Sequence, residues 1–169
     1  MVRFNTHIFR KTGNVWDVAI FIPKERITSL YFEKDRRIIC TINEFHFHAA
    51  LMPNGDGNYF VNTNKEVRKS TGINLGDEVE VTIKVDTSMY GMPLPEEFKT
   101  AWELDEEGKV LFDKLTMGKQ RSLIHIVGKL KSSEKRIEKS LVILEYLKSV
   151  QGKLDFKELN QAFKYANKK

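Results

Sequence analysis

A separation of 41 residues recurs in this chain and limits what its first half can fold into. Pro23-Lys24-Glu25 falls on Asn64-Lys65-Glu66, Ile20-Phe21-Ile22 on Val61-Asn62-Thr63, and Ile38-Ile39-Cys40-Thr41-Ile42 on Val79-Glu80-Val81-Thr82-Ile83, all without a gap. Each copy reads as strand, short basic-acidic turn of helix, strand. One such copy would leave its strand edges unpaired, so two copies in one polypeptide point to a β unit completed by its own duplicate.

The flanking pattern extends this β reading over residues 1–88. Strand-like stretches are Arg3–Phe9, Trp16–Phe21 after a turn at Thr12-Gly13-Asn14, Arg36–Ile42, Phe45–Met52, Asn58–Asn62 and Glu78–Asp86. Gly72 is placed to close the helical turn Lys65–Lys69, and Gly76-Asp77 to launch the last strand. A loop at Asn43-Glu44 sets Ile42 opposite Phe45, Cys40 opposite Phe47 and Ile38 opposite Ala49. One face of that hairpin is then wholly apolar, while Arg37, Ile39, Thr41, His46 and His48 share the other.

After the linker Thr87–Pro95 the apolar period changes from two to about 3.6. Pro95 suits a first helical position, with Phe98, Ala101 and Trp102 on an apolar face. Val110, Phe112 and Leu115 follow, then Leu123, Ile126, Val127 and Leu130. Ser133 is the expected cap of a helix whose stripe is Ile137, Leu141, Leu144 and Leu147. Gly152 interrupts the chain before an amphipathic piece carrying Phe156, Leu159 and Phe163. The predicted architecture is α+β: a β domain over 1–88 and a helical region over 89–169.

A chain of 169 residues buries roughly 70% of its unfolded surface, which is enough to fold without disulfides or metals. Cys40 stands alone, so no intrachain disulfide forms. No apolar run reaches the ~20 residues a bilayer demands. The first residues lack the apolar core of a signal peptide. The expectation is a cytoplasmic protein with no membrane partner. The net charge of +5 is uneven, because residues 119–169 hold thirteen Lys/Arg against five Asp/Glu while residues 88–118 hold three against seven. Such a basic region attracts anionic partners, or is simply the wet side of helices.

Lys65-Glu66-Val67-Arg68-Lys69, Gly72-Ile73, Gly76-Asp77 and Glu78-Val79-Glu80-Val81 together resemble the swapped-hairpin unit of AbrB- and MazE-type proteins. The wider span from Trp16 through Ile22-Pro23-Lys24-Glu25 and Leu51–Gly57 to Asp86 resembles the domain of unknown function 1905. That resemblance implies a double-split β-barrel made from two fused half-units, and a monomer. Pro95, Phe98, Ala101, Phe112, Leu115, Gly118-Lys119-Gln120-Arg121, Ile124, Lys129 and Ser133–Ile137 are similar to the YdeI/OmpD-associated family, sometimes labelled bacteriocin-protection proteins.

The AbrB-type likeness makes Arg68 and Lys69 candidate nucleic-acid contacts, joined by Lys135 and Arg136 of the basic region. DNA-binding members of that group carry an arginine between a glycine and the strand leading to the Ile-Pro pair. Gly57-Asn58-Tyr59 and Gly13-Asn14-Val15 lack it, and Asp56 would repel phosphate. Arg121, His125 and Lys129 recur at i, i+4 and i+8; with Lys119 they form the candidate contact for a small anion or an acidic partner. His46-Phe47-His48 puts two metal-ligand types on one strand face, but a structural zinc needs four ligands and a catalytic one three. No metal site and no cofactor are therefore expected. Phosphate-loop, dinucleotide and nucleophile-elbow motifs are missing. The leading expectation is a non-catalytic binding or interaction module with an unknown ligand or protein partner. The alternatives are a nucleic-acid-associated regulator and a small-ligand receptor or enzyme.

Overall fold

A computed structural model describes residues 1–11, 18–33 and 35–167, which divide into two compact units, Met1–Gly91 and Met92–Lys169. The turn expected at Thr12-Gly13-Asn14 lies outside the described residues. The first unit contains β1 (Val2–Arg10), β2 (Val18–Ile22), β3 (Arg37–Ile42), β4 (Phe45–Ala50), β5 (Met52–Pro53), β6 (Tyr59–Asn62), α1 (Lys65–Thr71) and β7 (Glu78–Val85). Its strands form one sheet, ordered β4-β3-β7-β1-β2-β6-β5, with every pair antiparallel. Only Leu51 separates β4 from β5, so the two ends of the row are successive pieces of chain and the sheet curls.

The register shows what the repeat does. Ile20 lies opposite Val61 in the β2–β6 pair, and Thr41 lies opposite Thr82 in the β3–β7 pair. Both pairs join positions 41 residues apart in the chain (20 to 61, 41 to 82). Corresponding residues therefore face each other at two places, as a twofold relation between the copies requires. Carried forward by the same step, β1 falls on residues 43–51, which contain β4. The β1–β7 and β4–β3 registers then match with a two-residue slip, which leaves the same side chains inward.

The two helical turns differ. Lys65–Thr71 is a full α-helix because Asn64 accepts a bond from the Val67 amide at 2.8 Å and Gly72, at φ 73°, accepts the left-handed conformation that ends it. At the matching positions of the first copy stand Pro23, which has no capping side chain, and Tyr31. Only a single 3-10 turn, Lys24–Arg26, forms there.

The hairpin register is as read from the sequence: Ile42 faces Phe45, Cys40 faces Phe47 and Ile38 faces Ala49. Ile38, Cys40 and Ile42 are buried with Ile20, Val61 and Ile83 in the core of this unit. Thr6 is the polar exception on β1; its hydroxyl donates to the Phe21 carbonyl at 2.5 Å.

The second unit is helical: α2 (Glu96–Leu104), α3 (Glu106–Asp113), α4 (Met117–Gly128), α5 (Ser133–Ser149) and α6 (Phe156–Ala166). The other four helices contact α5. Phe98, Trp102 and Phe112 pack with ring centroids 5.0 to 5.5 Å apart. α3 approaches α5 closely at Gly108, where an added Cβ would stand 3.0 Å from that of Leu144. Among the described residues no helix is long and apolar enough to cross a membrane.

Three details depart from the sequence reading. Pro95 is the N-cap of α2 rather than its first residue. Ser132, not Ser133, caps α5; its hydroxyl accepts from the Lys135 amide, while Ser133 bonds Glu97. The apolar stripe of α5 is also rotated. Ile143, Leu144 and Leu147 are buried, but Ile137 and Leu141 are 45% and 50% exposed. Ser140 occupies the inner face because its hydroxyl donates to the Arg136 carbonyl at 2.6 Å, which satisfies a small polar group within its own helix.

α5 is tied to α2 by Arg136, whose guanidinium bonds Glu97 Oε1 at 2.8 Å and the Leu130 carbonyl at 3.0 Å. Arg136, then the Glu97 amide and the Ser133 hydroxyl, hold the Glu97 carboxyl down at about 2. Folding thus lowers this pKa, and the stabilisation is complete above the unfolded value near 4.5 and fades as pH falls toward 2. Urea melts of Glu97→Gln should accordingly lose less stability than wild type across that acid window. Equal slopes would contradict the ion pair.

Burial pushes the Cys40 thiol up to about 12. At about pH 8 only on the order of 10⁻⁴ of it is thiolate. A disulfide reagent should leave native Cys40 unlabelled and modify it fully in denaturant. Fast labelling of native protein would mean that the β3–β4–β7 core opens readily.

Candidate functional site

Several of the cations nominated from sequence, Arg68, Lys119 and Arg136 among them, have structural work in the fold. Arg68 Nη1 donates to the Thr63 carbonyl at 2.6 Å, just ahead of α1. Lys69 is exposed beside it, on a shallow depression of about 430 Å³ that Lys65 and Leu75 also line. Arg136 belongs to the α2–α5 clamp. Lys119 Nζ reaches the Leu154 carbonyl at 3.3 Å, in the turn between α5 and α6. Arg121 is half-buried and His125 exposed on α4. Gln120, between Lys119 and Arg121, is buried and donates to the carbonyls of Phe112 and Asp113 at 3.1 and 3.2 Å, closing the end of α3.

Lys129 and Lys135 have a different setting. Lys135 lines a groove of about 720 Å³ bounded by Leu130, Glu138, Lys139, Leu141, Val142, Phe163, Ala166 and Asn167. Its walls come from α5 and α6, with Leu130 just after α4. Lys139 Nζ stands 3.4 Å from the centroid of the Phe163 ring. Burial, and after it the charge of Lys129, push the Lys139 ammonium below its ordinary pKa. Two lysines therefore line an apolar trough with the charge of Lys129 acting on one of them, Lys139, which is held over an aromatic face with part of its hydration removed. Leu141, half exposed, supplies apolar surface that faces no core.

Lys139 is not among the residues nominated from sequence, where Phe163 is read only as part of an amphipathic piece. The available signal was the i, i+4 step from Lys135 to Lys139, which aligns two ammonium groups on one helix face. A stripe that places Ile137 and Leu141 inward turns both lysines toward bulk water and hides that step.

The strand histidines form a second cluster. His48 Nδ1 lies 2.6 Å from Asp86 Oδ2, and the Asp86 side chain is 1% exposed. Asp86 Oδ1 accepts from the Ser88 amide at 2.9 Å and the Ser88 hydroxyl at 2.6 Å. His46 Nδ1 lies 2.7 Å from Thr41 Oγ1. Cys40 points to the opposite, buried face, as the hairpin register requires. Among the described residues no group of three or more His, Cys, Asp or Glu side chains converges to hold a metal ion.

No curated protein matches the chain. A family model matches residues 4–83, the segment that holds the curled sheet and both copies of the repeat. Residues 4–83 are thus a domain of unknown function, DUF1905.

Proposed function

We propose that this protein is a non-catalytic binding module whose helical unit takes an amphipathic anion, an apolar body with a carboxylate or comparable head group, in the α5–α6 groove. The observation that carries the reading is Lys139, held over Phe163 beside Lys129 and at the edge of an apolar trough. A partly desolvated ammonium near another cation gains most from an anion that replaces its lost hydration. Leu130, Leu141 and Val142 offer the apolar surface for the rest of the ligand. Glu138 on the same rim disfavours polyanions and suits a single negative head group.

In this reading the N-terminal unit is a double-split β-barrel of two fused half-units, AbrB-like in plan. The facing of Ile20 with Val61 and of Thr41 with Thr82 supports it. The helical unit is read as YdeI/OmpD-associated-like on the residues quoted above. Nucleic-acid binding has weaker support, since Arg68 and Arg136 are engaged with protein carbonyls.

Calorimetric titration with decanoate, against decanol as the uncharged control, tests the groove. Decanoate should bind and decanol should not. Lys139→Ala should weaken binding about tenfold or more, the scale of one lost charge-assisted hydrogen bond. Lys69→Ala should leave it unchanged. Equal binding of both probes, or binding indifferent to Lys139→Ala and to Leu141→Asp, would overturn the proposal.

A further inference from the structure

Alternate residues of a strand project to the same face, so His46 and His48 of β4 stand side by side on the outer surface of the sheet, about 6.8 Å apart along the strand. Each ring is held through the same nitrogen. The buried Asp86 carboxylate can only accept, so His48 Nδ1 carries the proton it donates, and in the neutral ring Nε2 keeps its lone pair. Asp86 is itself fixed by two bonds from Ser88. The Thr41 hydroxyl receives the matching bond from His46 Nδ1–H in the tautomer that also leaves Nε2 free. Among the described residues neither Nε2 has a hydrogen-bond partner.

This is the arrangement that orients imidazoles toward a metal: the carboxylate behind His48 sets tautomer and plane, and the hydroxyl behind His46, able to accept or donate, holds the plane of that ring. We infer that His46 and His48 form a two-histidine site for a borderline divalent transition metal such as Cu²⁺, Ni²⁺ or Zn²⁺, with Asp86 as the positioning residue and water in the remaining coordination positions. Imidazole nitrogen suits these ions, whereas Mg²⁺ and Ca²⁺ require oxygen. Two protein ligands with open positions differ from a closed structural site, so the ion would be exchangeable and accessible to small ligands. Ile39 separates His48 from Lys84 across the sheet, so the nearest ammonium in that row is two strands away from the ion and the Asp86 charge opposes it.

Titration of the purified full chain with CuCl₂ and ZnCl₂, followed by calorimetry and, for copper, by electron paramagnetic resonance, decides the matter. One ion should bind per chain with nitrogen hyperfine structure from two imidazoles, and affinity should follow the order Cu²⁺ above Ni²⁺ and Zn²⁺. His46→Ala, an exposed substitution that leaves the core intact, should weaken binding about tenfold or more and reduce the spectrum to one nitrogen. Asp86→Asn should weaken it about ten- to a hundredfold while retaining both nitrogens. His125→Ala should change nothing. Failure of wild type to bind copper, or binding that persists unchanged in both His46→Ala and His48→Ala, would overturn the inference. Nothing in this test depends on the helical unit, so its outcome is independent of the lysine groove.

Discussion

Antiparallel pairing between the two copies of a duplicated segment is the constraint that the N-terminal unit rests on. A single β2–turn–β3 segment would leave a bare edge on each strand. In the folded chain the edge of β2 is covered by β6 and that of β3 by β7. Since the covering strand is in each case the counterpart of the strand it covers, each copy supplies what the other lacks. The inward residues Ile20, Val61, Cys40 and Ile83 come from these cross-copy pairs, so the core of the unit belongs to neither half alone.

This much was legible in the sequence because the side-chain period of a strand is two and the repeat distance is fixed. Ile38 to Ile42 and Val79 to Ile83 announce both the strands and their equivalence, and Asn43-Glu44 sets the register of the β3–β4 hairpin. The structure adds which strands make that pairing and in what register, β2 with β6 and β3 with β7, each strand beside its own counterpart. The unequal helical turns were also readable in principle. Asn64 and Gly72 at the ends of one, against Pro23 and Tyr31 in the other, are chemically explicit differences that the shared Lys-Glu obscured.

The helical unit was harder to read, and α5 shows why. A 3.6-residue period locates a stripe only as well as residue type reports burial. Ser140 is fully buried although it is polar, its hydroxyl being satisfied four residues back; Ile137 and Leu141 are exposed although they are apolar. Those misplacements turn the helix by a fraction of a turn, enough to hide Lys139 and the groove. Positive charge behaved similarly. Counting Lys and Arg located the basic region correctly but did not separate Arg136 and Lys119, which bond the protein's own carboxylate and carbonyl groups, from Lys135 and Lys139, which border an apolar trough. A cation that already has a protein partner has little left to offer a ligand, and that distinction lies in tertiary contacts.

The β3–β4 hairpin joins inertness and reactivity through one geometric fact. Odd and even positions of a strand face opposite ways, so the register that seals Cys40 against Phe47 is the one that sends His46 and His48 outward, where Thr41 and Asp86 reach their Nδ1 atoms. A slip of one residue would place both imidazoles in the core and the thiol at the surface. Core packing opposes that slip, since it would bury two polar rings and expose Ile38 and Ile42 together. The same apolar contacts that stabilise the unit therefore hold the two histidines at a fixed spacing, and any chemistry at their outward nitrogens starts from side chains already ordered before a ligand arrives.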